Sequence, residues 1–328
     1  MISVIIVCHE RRNFILQAIK SVERQTISKD LYEIIVVKNF LDEKIDKYIE
    51  CLNGKNILSM ETSGWSKLIC GVKASEGEIL CFLDDDDMFR EDKLENIFTI
   101  FNKYQSLCFL HNGYLKILEN EEINISKYNK SFENSHLKLF DTTIDKDLYK
   151  AIKMRLDFNS SSISVKKKYI LNRLETPNDS IIKSVDTFIF YLMLENSLTI
   201  ANYSEKLTFY RYHNSVSNYV NMPSQKIIES KINYLTLFTQ SLEILKENFT
   251  RQKLINLIDG KISSIKCWRY FIDRSFTVEP LLKLNAIIYL TKVSVRRGMF
   301  FFVMNFLKMF LPEKIFQKIY LEGIKKGI

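Results

Sequence analysis

Glycine and proline are scarce in this chain, nine and four among 328 residues, which argues against long linkers or disordered segments. Its six cysteines, Cys8, Cys51, Cys70, Cys81, Cys108 and Cys267, form no CxxC pair, and no histidine stands at zinc spacing from them. A zinc module or disulfide framework is therefore not expected; the pattern fits buried, reduced thiols in a cytosolic protein. No apolar run reaches the roughly 20 residues that would span a bilayer. Acidic residues thin out toward one end: Arg251–Ile328 holds 15 Lys and Arg against 5 Asp and Glu, a net of +10 in a chain whose total is +8. The basicity thus belongs to the C-terminal part. It does not imply a nucleic-acid partner, because no binding motif accompanies it.

What is present is a regular alternation of strand-length apolar runs with helical patterns. Ile2–Val7, Tyr32–Val37 and Ile57–Met60 read as strands, while Phe14, Ile15, Ala18, Ile19 and Val22, then Ile45, Ile49 and Leu52, then Leu68, Ile69, Val72 and Ala74 recur at helical spacing. Such alternation predicts an α/β fold with a mainly parallel sheet flanked by helices. The chain opens directly on a strand, so no signal peptide is expected.

The most informative element is the run Asp84-Asp85-Asp86-Asp87, which follows the buried-strand pattern Ile79–Leu83 and precedes a helix signal at Glu91–Leu94. A strand-to-helix loop at the carboxyl end of a sheet is where open α/β folds bind ligands. Adjacent carboxylates repel by about 3 kcal/mol per pair at an effective dielectric of about 20, and a divalent cation relieves that repulsion. Oxygen ligands favour Mg²⁺ or Mn²⁺ bridging to substrate phosphates, so a nucleoside-diphosphate ligand is expected.

Four segments in order, Ile2–Arg11, Ala18–Thr26, Tyr32–Val37 and Gly71–Asp87, resemble the family 2 glycosyltransferases of the GT-A fold, over roughly residues 1–215. The resemblance implies a GT-A catalytic domain at 1–220, with a nucleotide-binding half at 1–112 and an acceptor-side half at 113–220, followed by a basic helical region at 221–328. It implies a nucleotide-diphosphate sugar donor bound at Val7, His9, Asn39, Asp84 and Asp85, and a metal held by Asp86 with Asp84 and His213. Asp87 is the least certain member of the run. Asp186, opening a helix in Ser184–Tyr191, takes the place of the family's catalytic base, and Arg211 in Tyr210-Arg211-Tyr212-His213 supports the diphosphate. Ser160–Ser162 matches a small-residue stretch beside the acceptor pocket. The reaction implied is an inverting displacement onto a hydroxyl of a glycan or lipid-linked glycan.

Two departures from the family pattern stand out. Lys38-Asn39 replaces the Asp that commonly reads the nucleotide base, which leaves UDP, GDP and dTDP sugars all open, and Val185 replaces the acidic neighbour of the base. They permit an alternative, an inactive sugar-nucleotide-binding scaffold; a metal-dependent phosphatase with an Asp-x-Asp element is a further one.

Apolar residues at helical spacing from Pro223 to Asn248 and from Arg251 to Phe271 predict helix hairpins. Beyond Pro280 comes the aromatic run Gly298–Pro312; on a helix Arg297, Asn305 and Lys308 share one narrow sector, leaving a broad aromatic face. With the lysines that follow, residues 280–328 suit peripheral association with the cytosolic face of an anionic membrane. A buried or oligomer-forming helix is the equal alternative. The polar stretch Asn120–Ser135 is expected to be an acceptor-side loop.

Overall fold

The structure, a computed structural model, describes residues 1–9, 12–61, 63–118, 136–171, 183–196, 199–212, 224–273, 275–311 and 315–316. The chain divides into two compact units, Met1–Ala151 with Arg155–Asn218, and Ile152–Met154 with Tyr219–Ile328. His213 and the Asn120–Ser135 stretch lie outside the described residues.

The strands of the first unit are β1 (Ile2–Val7), β2 (Tyr32–Lys38), β3 (Lys55–Leu58), β4 (Ile79–Asp84), β5 (Met88–Phe89), β6 (Leu107–Leu118), β7 (Leu137–Asp141), β8 (Ile163–Lys166) and β9 (Thr199–Tyr212). They form one nine-stranded sheet in the order β3-β2-β1-β4-β8-β6-β9-β5, with β7 on β9. β3, β2, β1 and β4 run parallel, as do β6 and β9, while β8, β5 and β7 pair antiparallel with their neighbours. Its helices are α1 (Ile15–Glu23), α2 (Glu43–Cys51), α3 (Gly64–Ala74), α4 (Lys93–Lys103), α5 (Asp145–Lys153), α6 (Lys167–Leu171) and α7 (Val185–Glu195).

The local reasons are visible in sequence. β1, β2 and β4 are continuous runs of β-branched and large apolar residues because helices cover both faces of the sheet. α2 starts at Asp42, whose side chain accepts the Ile45 N–H, and α3 at Ser63, whose hydroxyl accepts that of Ser66. α7 is buried all round from Thr187 to Glu195, with Phe188 against Trp65 and Phe190 against Phe109, so its first turn is held rigidly.

One expectation shifts: β3 forms two residues earlier than Ile57–Met60, as an alternating half-exposed strand. β9 is a single 14-residue strand whose pairing with β6 is interrupted by register shifts near Gly113. A Cβ on Gly113 would stand 2.7 Å from the Ser204 carbonyl oxygen, so only glycine permits this approach.

The second unit consists of α8 (Ser224–Glu247), α9 (Gln252–Ile272), α10 (Pro280–Val293) and α11 (Val295–Phe310), packed in succession around Leu254, Leu257, Ile258, Ile265 and Phe271. Among the described residues, no helix is long and apolar enough to cross a membrane.

Candidate active site

β4 is buried from Ile79 to Leu83 and emerges at Asp84, which lies beside Val7 in the β1–β4 ladder. The chain turns there, with the Asp87 N–H bonded to the Asp84 carbonyl at 3.2 Å. The four carboxylates take different places. Asp85, 2% exposed, accepts the His9 N–H at 3.2 Å, and Asp87, 1% exposed, accepts the Arg211 N–H at 2.8 Å. Asp84 and Asp86 are half-buried. Arg211 braces the turn further: Nε donates to the Asp86 carbonyl at 2.8 Å, Nη2 to Gln17 Oε1 at 2.7 Å, and the guanidinium lies 4.4 Å from the Phe14 ring centre. The serine stretch forms a 3₁₀ turn against the same loop, where Ser161 Oγ accepts the Asp84 N–H at 3.0 Å and Ser160 Oγ donates to Asp84 Oδ2 at 2.7 Å.

Oxygens of Asp84, Asp86 and Asp87 lie within 4.8 Å of one another. Burial and the neighbouring Asp86 push Asp84 up to about 7, and burial with Asp86 and Asp84 pushes Asp87 well above the usual carboxylate range. Each ionised pair at that separation costs about 3 kcal/mol at an effective dielectric of about 20. Among the described residues Asp87 Oδ2 is buried with no hydrogen-bond partner, and a buried acceptor left so carries a penalty that a cation would remove. An all-oxygen donor set around such an atom fits Mg²⁺ or Mn²⁺. Asp87 thus joins Asp84 and Asp86 in the candidate metal cluster, while Asp85 turns toward β1.

Asp186 stands in the first turn of α7. Its Oδ2 accepts the Asn159 N–H at 3.0 Å and its Oδ1 the Thr187 N–H at 2.8 Å. Burial, then the charge of Asp157, pushes its carboxyl up to about 6, which poises it to take a proton near neutrality. Asp186 and the acidic turn are close enough for Asp186 to raise Asp84 in its turn. Both residues flanking this arrangement, Asn159 and Ser184, adopt left-handed backbone with φ 73° and 57°, the kind of local strain that functional sites retain.

On the donor side, Val7 and His9 end β1 next to the turn, and buried Lys67 of α3 donates to the Cys8 carbonyl at 3.1 Å and bonds His9 Nδ1 at 2.7 Å. Lys38 is 1% exposed, with its ammonium 2.7 Å from Asp46 Oδ1 and 2.8 Å from the Phe40 carbonyl. Its departure from the family pattern is therefore taken up inside the fold. Half-buried Asn39 follows it at the mouth of β2.

Several residues escape sequence reading. Lys93, fully buried, donates to the Ser161 carbonyl at 2.5 Å and to Thr208 Oγ1 at 3.0 Å, and burial lowers its ammonium to about 7. It anchors the serine turn that holds Asp84. Tyr114, Phe158 and Tyr210 form a half-buried triangle with ring centres 5.6 to 5.8 Å apart. The Tyr210 hydroxyl is raised by burial and by Asp87, Asp86, Asp84 and Asp186 together, which sets this triangle beside both acidic groups. Its members come from β6, the loop before the serine turn, and β9, and only the sheet brings them together.

The model of the family described as "Glycosyl transferase family 2" matches residues 3–160, which include the acidic turn and the first serine of the turn that holds it. Residues 3–160 belong to glycosyl transferase family 2. An uncharacterized glycosyltransferase of Rickettsia bellii is 34% identical over 122 residues, 36% of this chain and 17% of that protein, so the chain spans under a fifth of that relative's length. Among solved structures, S. aureus TarS 1-349 matches 89% of this chain and 79% of its own at TM-score 0.56 and 16% identity. The same protein in complex with UDP-GlcNAc matches 90% of this chain and 92% of its own at TM-score 0.52 and 15% identity. At such identities the likeness is one of fold, and the fold is GT-A.

Proposed function

We propose that the chain transfers a sugar from a nucleoside-diphosphate donor to a hydroxyl of a glycan or lipid-linked glycan, inverting the anomeric carbon. The observation that carries this reading is the cluster of Asp84, Asp86 and Asp87 oxygens at the end of β4, with Asp186 on a rigid helix beside it. The UDP-GlcNAc bound by the TarS fold makes a uridine-diphosphate sugar the first donor to test.

Asp84, Asp86 and Asp87 would hold Mg²⁺ or Mn²⁺, which supplies Lewis-acid stabilisation of charge on the departing diphosphate. His9 and Asn39 bound the donor side at the ends of β1 and β2. Asp186, as carboxylate, accepts the proton of the acceptor hydroxyl as its oxygen attacks. The new C–O bond forms as the anomeric C–O bond to the diphosphate breaks, and the leaving group departs with that electron pair. The Tyr114, Phe158 and Tyr210 rings offer the acceptor an apolar platform. The reading places the protein in the cytoplasm, where nucleotide sugars serve as donors, with residues 280–328 at a membrane face.

Thermal stability against uridine, guanosine and thymidine diphosphates and their sugars, each with Mn²⁺, Mg²⁺ or EDTA, tests the donor site. A cation-dependent shift for one nucleotide, lost in Asp86→Ala, supports the reading. No shift with any nucleotide would remove it.

A further inference from the structure

The second unit leaves its most apolar helix face uncovered. On α11, Met299, Phe302, Val303, Phe306, Met309 and Phe310 are 48 to 76% exposed. At about 100° per residue they fall within an arc of about 120°. Leu281, Leu284 and Ile288 add an exposed strip on α10, 45 to 64% open. Phenylalanines exposed to this degree leave on the order of 100 Å² each, so the strip exceeds the few hundred Å² usual on a soluble monomer.

The helix is turned the opposite way from a water-facing one. The sector that carries Lys308 and Asn305 also carries Phe301 and Met304, and it packs inward: Lys308 donates to the Tyr270 carbonyl with its ammonium 4.0 Å from that ring centre, while Phe301 packs edge-on against Trp268 and tilted against Phe271. Gly298 fixes the rotation, because a Cβ there would run into Thr291 of α10. The apolar arc therefore faces outward by construction.

Charge selects the occupant. From Pro280 to Phe310 there is no Asp or Glu, and there are five cations, Lys283, Lys292, Arg296, Arg297 and Lys308. Arg296 is exposed at the start of α11 beside the arc, whereas Arg297 is exposed about 180° from the arc's centre. In a two-fold contact a second copy would present the same cationic edge, and Pro280–Phe310 supplies no Asp or Glu to face it, which opposes association. An anionic lipid surface answers both features, an apolar layer for the arc and phosphates for the cations. We propose that the α10–α11 strip is a lipid-docking surface, lying in the plane of an anionic leaflet with its aromatic arc at the acyl boundary and Lys292 and Arg296, at the strip's edges, at the phosphates.

This inference deepens the membrane-face placement in the proposed function, and its test needs no substrate, so its failure is distinguishable from failure of the transferase reading. The full chain is floated with vesicles of phosphatidylcholine alone or mixed with phosphatidylglycerol, at low and high salt. Recovery with the anionic vesicles should exceed that with neutral ones by about tenfold or more and fall as salt screens the cations. Phe302→Ser with Phe306→Ser should abolish flotation, and Lys292→Glu with Arg296→Glu should reduce recovery with the anionic vesicles to the neutral level. All four side chains are exposed, so unchanged unfolding curves would confirm that the variants fold. Absence of flotation with either vesicle, or flotation indifferent to both variant pairs, overturns the proposal. So does a dimer in sedimentation equilibrium that the serine variant dissolves while vesicles bind nothing, which would assign the strip to a second copy.

Discussion

Replacing Asp186 by Asn separates a catalytic base from a helix cap, because the two roles predict opposite changes in stability. The carboxyl is raised from 3.8 to about 6, first by burial and then by Asp157. At 1.36 kcal/mol per pKa unit that rise means the ionised group opposes folding by about 3 kcal/mol. The sign follows from linkage: a carboxyl held above its unfolded value contributes stability below about pH 4, and that contribution is lost as pH rises through about 6. Asparagine has no charge to bury, but its single amide oxygen serves only one of the two N–H groups, Asn159 and Thr187, that now reach the carboxylate. Losing one such bond costs about 1 kcal/mol. The variant should thus be more stable by about 2 kcal/mol above pH 6, about 4 to 8 °C in Tm for a domain of this size, with the sign reversing to about 1 kcal/mol in the wild type's favour below pH 4. Transfer, followed as nucleoside diphosphate released in the presence of acceptor, should fall by about 10² to 10⁴, with donor affinity retained. For the wild type, kcat/KM should fall tenfold per pH unit below about 6. A plain capping aspartate would instead lose about 0.3 to 1 kcal/mol on neutralisation. A variant less stable above pH 6, or one that keeps its turnover, would refute the assignment.

Two further outcomes follow from the surroundings of the turn. Ser160→Ala removes the hydroxyl that donates to Asp84 Oδ2 and should weaken Mn²⁺-dependent nucleotide binding by about 10- to 100-fold without lowering Tm; calorimetric titration of the cation checks it, and unchanged affinity would deny Ser160 that role. Arg90→Met leaves Glu205, 4% exposed and 2.5 Å from the guanidinium, buried without its cation, and should cost about 3 to 5 kcal/mol in denaturant unfolding, partly restored by adding Glu205→Leu; a cost below about 1 kcal/mol would contradict it.

The parallel half of the sheet is legible in the sequence because strands buried on both faces must be apolar throughout, and Ile2–Val7 and Ile79–Leu83 leave no other reading. β3 is not placed as well, since a half-exposed strand of four residues carries only a weak alternation. The candidate site divides along the same line. Asp84–Asp87 and Asp186 declare themselves by type and position, whereas Lys93, Tyr114 and Phe158 acquire meaning only through the packing of β6, β8 and β9 around the serine turn. For α11, periodicity yields the apolar arc but not its direction. Which sector packs inward is decided by Gly298 against Thr291 and by the aromatic ring cluster on α9.

Why the chain runs to four aspartates where a cation needs fewer follows from their partners. Asp85 and Asp87 each accept a backbone N–H from the end of another strand, His9 after β1 and Arg211 in β9, so they tie the turn to both neighbours at once. Those N–H groups lie at strand ends, where the ladder no longer supplies acceptors, and a carboxylate there forms a charge-assisted bond. Asp84 is held by the serine turn, its N–H on Ser161 Oγ and its Oδ2 on Ser160 Oγ, and the Asp86 carbonyl accepts from Arg211 Nε. Asp87 serves both ends, Oδ1 on the Arg211 N–H and Oδ2 with no hydrogen-bond partner among the described residues. The tethering fixes the cluster before any cation arrives. It also prevents the carboxylates from relaxing apart, and a divalent cation bound there would offset both causes that raise Asp84 and Asp87, burial first and their mutual repulsion second.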